Sequence, residues 1–189
     1  MGRVLYTVAL IAMGALVVHF AIIMLLPLTA PDAAGRQLNA AVPEPATAPT
    51  NLSELQIDGK LDLGLDPAFR VLACRYSITE EPLRIAGGGR VPLWTLSVLN
   101  SRGVSVFSAN DRISPTPNID VALLNANQLR TFRQMPDPAL DNAIVVAPGD
   151  DDGFVIIRLF EPDNSWTALI DELVASIECS SFQQPSPTQ

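Results

Sequence analysis

Asn110-Asp111-Arg112 is the densest knot of polar chemistry in the sequence, a carboxylate flanked by an amide and a guanidinium directly after a strand-forming run. The triplet has two uses. In one, Asp111 works as an acid or base, Arg112 clamps an anion, and Arg75 joins them in a pocket. In the other, the residues lock a strand end, the acid capping turn N–H groups and the guanidinium pairing with a carboxylate. The sequence supplies no further catalytic partner, so the locking use is expected, no catalytic residue is assigned, and Asn110, Asp111, Arg112 and Arg75 stand as binding candidates only. The one histidine, His19, lies in an apolar block near the N-terminus. Ser-His-Asp, Cys-His and His-ligated metal chemistry are thereby excluded from everything after it.

Cys74 and Cys179 are the only cysteines. In an oxidising compartment they can close a disulfide around a loop of about 100 residues, worth up to about 4.7 kcal/mol in the chain-entropy account. The alternative is two separate buried thiols behaving as small hydrophobes. Pairing is favoured, because two cysteines in an exported domain have one simple solution. A nucleophilic thiol has no His or second Lys to activate it, and two thiols are too few for a zinc site. No metal and no cofactor are expected.

Other motifs resolve as turns. Asp150-Asp151-Asp152-Gly153 is acidic, but calcium loops alternate their acids and place Gly sixth, so a solvated hairpin loop is expected. Gly87-Gly88-Gly89-Arg90 is neither GxGxxG nor a P-loop and reads as a hairpin turn. Ser105 lacks the second Gly of a nucleophile elbow, and nothing places a serine beside Lys60, the only lysine. Asn51-Leu52-Ser53 fits the glycosylation sequon, a pattern too short to weigh alone. With 12 basic against 20 acidic residues the net charge is −8, which excludes a nucleic-acid partner.

The elements that position these residues begin with an anchor. Val4–Leu28 carries no formally charged side chain, which exceeds the about 20 residues a helix needs to cross a bilayer. The run is too long for a cleaved signal peptide, and Pro31 spoils the cleavage site after Ala30. A transmembrane anchor over 1–28 is therefore expected, its N-terminus cytoplasmic on the charge bias of Arg3. His19 shares a helix face with Ala12 and Ala15, a small-residue stripe on which a second helix could pack. Residues 29–51, with Pro31, Pro43, Pro45 and Pro49, read as an extended spacer, and 181–189 as a disordered tail.

Between them, over 52–180, lies one β-rich domain. Strands are expected at Phe69–Ile78, Leu83–Ala86, Pro92–Leu99, Val104–Ser108, Ile119–Leu124, Ala143–Ala147 and Phe154–Phe160. A short helix capped by Asn125 ends at Pro136, and a C-terminal helix capped by Asn164 or Ser165 runs to about Glu178. Trp166, Leu169, Ile170, Leu173, Val174 and Ile177 line one face of that helix and read as core. The fold class is α+β, mainly antiparallel and sandwich-like, with a C-terminal helix behind one transmembrane helix.

Asp66-Pro67-Ala68-Phe69, Leu72-Ala73-Cys74-Arg75-Tyr76, Glu81-Pro82-Leu83-Arg84-Ile85, Leu93–Val98 and Arg102-Gly103 through Asn110-Asp111-Arg112 form a connected series. This series resembles the bacterial family called domain of unknown function 1254, in its short membrane-anchored form. The resemblance implies an immunoglobulin-like β domain held at the bacterial inner membrane with the domain in the periplasm. It also implies a companion, a separately encoded membrane protein carrying a domain of unknown family 1214. No reaction comes with the family. The expected function is a non-enzymatic envelope protein docking on that companion; the alternative is a small-ligand-binding or enzymatic domain using Asp111 and Arg112.

Overall fold

The structure, a computed structural model, describes residues 1–59, 63–89, 91 and 93–184, and leaves the side chains of 26–33 undescribed. Lys60, Arg90 and the tail residues Pro185 and Pro187 lie outside the described residues.

Helix α1 spans Gly2–Ala41. Its segment Gly2–Leu25 is long and apolar enough to cross a membrane, with its side chains turned outward. The helix does not stop at residue 28, and here the expected spacer over 29–51 is corrected. Each proline in a helix removes one N–H donor and disfavours the preceding turn. The helix nevertheless continues through Pro27 and Pro31, because its last turns bury Leu38 and, at the cap, Val42 against a sheet. Tertiary burial outweighs local propensity. Beyond Val42 the chain forms a strap: the Cys179 N–H donates to the Thr47 carbonyl at 2.7 Å. Strand β1 (Thr50–Asn51) and helix α2 (Leu52–Ile57) follow. The sequon is absorbed into this structure, since Asn51 caps α2 and the Ser53 hydroxyl accepts from the Val71 N–H at 2.8 Å.

The remaining elements are β2 (Phe69–Ser77), β3 (Leu83–Gly87), β4 (Trp94–Asn100), β5 (Ser105–Asn110), β6 (Ile119–Leu123), α3 (Ala126–Gln134), β7 (Ile144–Val146), β8 (Asp152–Phe160), α4 (Thr167–Ser176) and β9 (Glu178–Ser181). One sheet has the order β1-β2-β8-β4-β5 and the other β7-β6-β3-β9. Pairing is antiparallel except between β6 and β7. The main core lies between the sheets, where Leu72, Tyr76, Trp94, Leu96 and Ile157 meet Ile85, Val121 and Leu123, with Ile170 and Leu173 of α4 closing one side. The α+β, mainly antiparallel class is therefore the observed one.

Strands β2 and β8 pair from Phe69↔Phe160 to Ser77↔Asp152 and are covered on both faces. Their outer residues Val71, Ala73, Phe154 and Ile156 pack under α1 and α2. This double burial is why the run around Cys74 alternates only partly.

Two expected hairpins do not form. The Gly87–Gly89 stretch and the Gly149–Asp152 loop each carry the chain from one sheet to the other, since β3 and β7 lie opposite β4 and β8. A turn signal marks a reversal without saying which partner the next strand takes. The β4–β5 hairpin does form, its turn held by the buried Asn100, whose Oδ1 accepts from the Arg102 and Val104 N–H groups.

The C-terminal helix is shorter than expected. Neither Asn164 nor Ser165 caps it: Trp166 precedes the first turn without a side-chain bond, and Asp163 accepts from Ser165. Residues 178–181, expected as helix end and tail, form the edge strand β9, because Cys179 points into the core. The Asn125 cap is present with a full capping box to Gln128.

Candidate functional site

Asn110 ends β5, and its Oδ1 accepts the Arg112 N–H at 3.1 Å. The amide thus locks the strand end, a role the sequence had suggested for Asp111. Asp111 is tied through its backbone, its N–H donating to the Trp94 carbonyl at 3.3 Å. Its side chain turns inward instead. Asp111 Oδ1 is buried and receives no hydrogen bond.

Asp111 also lines a cleft of about 490 Å³ with Trp94, Trp166, Val91, Pro117 and Leu169. Four segments build the walls, one of them the β5–β6 connection that supplies Asp111 and Pro117. The crossover after β3 brings Val91, the start of β4 brings Trp94, and the turn before α4 brings Trp166. Trp94 is fixed by donating its indole N–H to the Pro117 carbonyl at 3.2 Å. Leu169, expected in the core stripe, is 41% exposed on the rim. The sequence carried a usable signal for this site: the chain has two tryptophans, and both meet here.

Arg112 is exposed and forms no ion pair among the described residues, so Asp111 and Arg112 do not make a paired clamp. Arg75 is elsewhere. Its guanidinium donates to the Pro43 carbonyl and sits 5.7 Å from the centre of the Phe154 ring. Arg75 pairs in register with Phe154, whereas Trp94 pairs with Leu159, five residues along β8 and about 17 Å away at ~3.4 Å per residue. The expected grouping of Arg75 with Asp111 is therefore corrected. Arg75 pins the strap to the sheet.

Cys74 of β2 and Cys179 of β9 are joined by a disulfide that ties the two sheets together across a sequence separation of 105 residues. His19 is exposed within the apolar segment, its ring 6.5 Å from that of Phe20. Among the described residues no three His, Cys, Asp or Glu side chains gather as a metal site.

Two ion-pair clusters were not legible in the sequence. Arg70 bonds Glu161 at 2.9 Å and Asp171 at 3.0 Å, tying β2 to the end of β8 and to α4. Burial works against the charged Arg70, but the two carboxylates outweigh it and its pKa is raised. Arg84 holds Asp120 through two bonds of 2.8 Å across β3 and β6, and this hydrogen bonding raises its pKa. Asp163 is lowered by its bonds from Ser165. The Tyr76 hydroxyl is pushed up by burial first and then by the nearby Asp150, Asp152 and Asp151. All four shifts belong to structural contacts.

No protein-family model matches the chain, and no curated protein matches it in sequence. Among solved structures, the VPA0106 protein of Vibrio parahaemolyticus is similar, with a TM-score of 0.60 over 84% of this chain at 11% identity. The likeness is one of fold. The match takes in 38% of the Vibrio chain, so this domain corresponds to well under half of that protein. An uncharacterised protein of Burkholderia cenocepacia aligns over 72% of this chain with a TM-score of 0.44 and 13% identity.

Proposed function

We propose that this protein is an inner-membrane-anchored envelope protein, its domain periplasmic, that works by docking on a companion and not by catalysis. The observation that carries the reading is the continuity of α1. A helix apolar over Gly2–Leu25 becomes, without interruption, the helix that packs Leu38 and Val42 on the outer face of the β2–β8 sheet. A domain built around its own anchor is held at one height and one orientation above the bilayer. Confinement to a membrane raises the effective concentration of any partner held there too. The cross-sheet disulfide supports an oxidising compartment. The Vibrio protein supports the companion, since it carries this fold as 38% of a longer chain. The family resemblance suggests what the companion is, a separately encoded membrane protein with a 1214-type domain.

The test is isolation of the tagged full chain from its native membranes in mild detergent, in wild-type and Arg112→Ala forms. Recovery of a 1214-type membrane protein in near-equal amount, reduced by Arg112→Ala without loss of melting temperature, supports docking at the exposed strand end. A wild-type chain that comes away alone contradicts it.

A second reading has one observation in its favour. The Asp111 cleft, with two indoles and an aspartate in its lining, has the composition of a small-ligand site, although Arg112 does not join it.

A further inference from the structure

We propose that the groove beside the edge strand β9 takes an extended, positively charged peptide segment of another protein as an added strand. The site lies across the sandwich from Arg112, since β9 is tied to β2, which β8 and β4 separate from β5. It goes beyond the docking reading and does not rest on it.

Strand β9 ends its sheet, with β3 on one side and no strand on the other. The strap covers part of that open edge. Thr47 meets it through one bond, its carbonyl accepting from the Cys179 N–H at 2.7 Å. In an antiparallel ladder successive residues turn their backbone groups to alternate sides. With the Cys179 N–H turned outward, the Cys179 carbonyl and the Ser181 N–H and carbonyl turn outward too, whereas the Phe182 N–H turns inward to the Pro82 carbonyl at 3.1 Å. None of those three outward groups has a hydrogen-bond partner among the described residues. An edge with unpaired donors and acceptors is a template for another strand, and the strap already uses one position of it.

Past Thr47 the edge opens into a groove of about 460 Å³. Pro45 and Ala46 of the strap form one wall, and the β2–β3 segment brings Glu80, Glu81 and Leu83 to another. Glu80 is exposed, Glu81 is half-buried, and neither forms an ion pair among the described residues. No basic residue stands in the described lining to neutralise them. The charge therefore selects a cationic segment, while Leu83, Pro45 and Ala46 offer apolar seats to its alternate side chains. The tail of the chain is the wrong occupant. Gln184 is bonded to the Gln128 carbonyl of α3, and residues 185–189 carry no basic side chain.

The full chain in a neutral detergent is titrated against a dye-labelled hexapeptide, Thr-Lys-Val-Arg-Val-Thr, by fluorescence anisotropy. One control peptide has both basic residues replaced by Gln, and a second has both valines replaced by Pro, which removes backbone donors. The proposal predicts saturable binding of the basic peptide, about 2- to 30-fold weaker binding of the neutral one, and loss of binding for the proline form. Glu80→Gln with Glu81→Gln should weaken the basic peptide by the same factor and leave the neutral one unchanged. Ser181→Pro removes one outward donor and no bond to β3, and should weaken both peptides. The melting temperature checks the fold of each variant. Equal binding of the basic and neutral peptides overturns the charge selection, and a proline form bound as tightly as its parent overturns strand addition. No saturation by about 1 mM basic peptide overturns the proposal outright. A peptide-free chain that is dimeric, and that Glu80→Gln with Glu81→Gln makes monomeric, puts a second copy in the groove and overturns it too.

Discussion

Gly153 is the residue whose substitution has the most calculable consequence. It sits in β8 opposite Tyr76 of β2 and Asn100 of β4, at the centre of the five-stranded sheet. A Cβ there would lie 2.6 Å from the Tyr76 hydroxyl oxygen, 2.7 Å from its Cζ, and closer still to the Leu99 carbonyl oxygen. Neither neighbour can move cheaply. The Leu99 carbonyl belongs to the β4 backbone, and Tyr76 is fully buried with its hydroxyl bonded to that carbonyl at 3.2 Å. Overpacking a filled core costs about 1–3 kcal/mol. Displacing Tyr76 strands a buried hydroxyl, adding about 1–3 kcal/mol. Gly153→Ala should therefore cost about 2–6 kcal/mol, a large part of the 5–15 kcal/mol typical of whole domains. At about 2–4 °C per kcal/mol, the full chain in detergent should melt about 4–24 °C lower by circular dichroism. Tyr76→Phe in the same background should restore only part of the loss, because the ring and the Leu99 carbonyl remain in the way. A Gly153→Ala variant melting within 2 °C of wild type, on the order of 1 kcal/mol or less, would refute the packing described for this sheet.

Three further outcomes follow from the same structure. Cys74→Ala with Cys179→Ala should lower stability by about 2–5 kcal/mol, read by urea unfolding with and without reductant, and reductant should then make no further difference. Tyr76 keeps its proton in the folded state well above the unfolded value of 10.0. The unfolded chain therefore loses that proton first, and the stability it contributes is complete below about pH 10 and falls as pH rises further. Tyrosinate absorbance against pH should accordingly show one tyrosine appearing only together with unfolding. Gly35→Leu should pry α1 from the hairpin, since a Cβ at Gly35 already lies 2.7 Å from the Ser101 carbonyl oxygen and the Arg102 carbonyl carbon. Limited proteolysis should then cut within residues 34–49 at a rate the wild type does not show.

Much of this architecture was legible in the residues. Strand-forming runs, the Asn100–Gly103 turn and the Asn125 cap are local signals, and each appears where local chemistry puts it. What escaped depends on distant partners. Pro31 and the prolines after it argue against a helix and for a spacer, and no local feature announces that Leu38 and Val42 will be buried on a sheet formed later in the chain. The Gly87–Gly89 and Gly149–Asp152 stretches signal reversals, but the strand that each next element joins is set by pairing across 63 and 81 residues, as in Thr95↔Arg158 (158 − 95) and Cys74↔Val155 (155 − 74). The site shows the same division. Asp111 stands out by type, but the cleft it lines is built with Trp94 and Trp166, which lie 17 residues before and 55 after it (111 − 94; 166 − 111). Arg75 looked like its neighbour in function because both are polar residues in strand contexts, and only the register separates them.

The central claim is that the apolar N-terminal helix and the β domain form one packed unit. Hydrogen exchange on the full chain in detergent, followed by mass spectrometry, tests it most directly at the peptide covering Leu38–Val42. The Val42 N–H donates to the Leu38 carbonyl at 2.8 Å, and both side chains are at most 4% exposed. Protection of that peptide comparable to β2 and β8 is the predicted result. Exchange within seconds, as in an unstructured spacer, would contradict it.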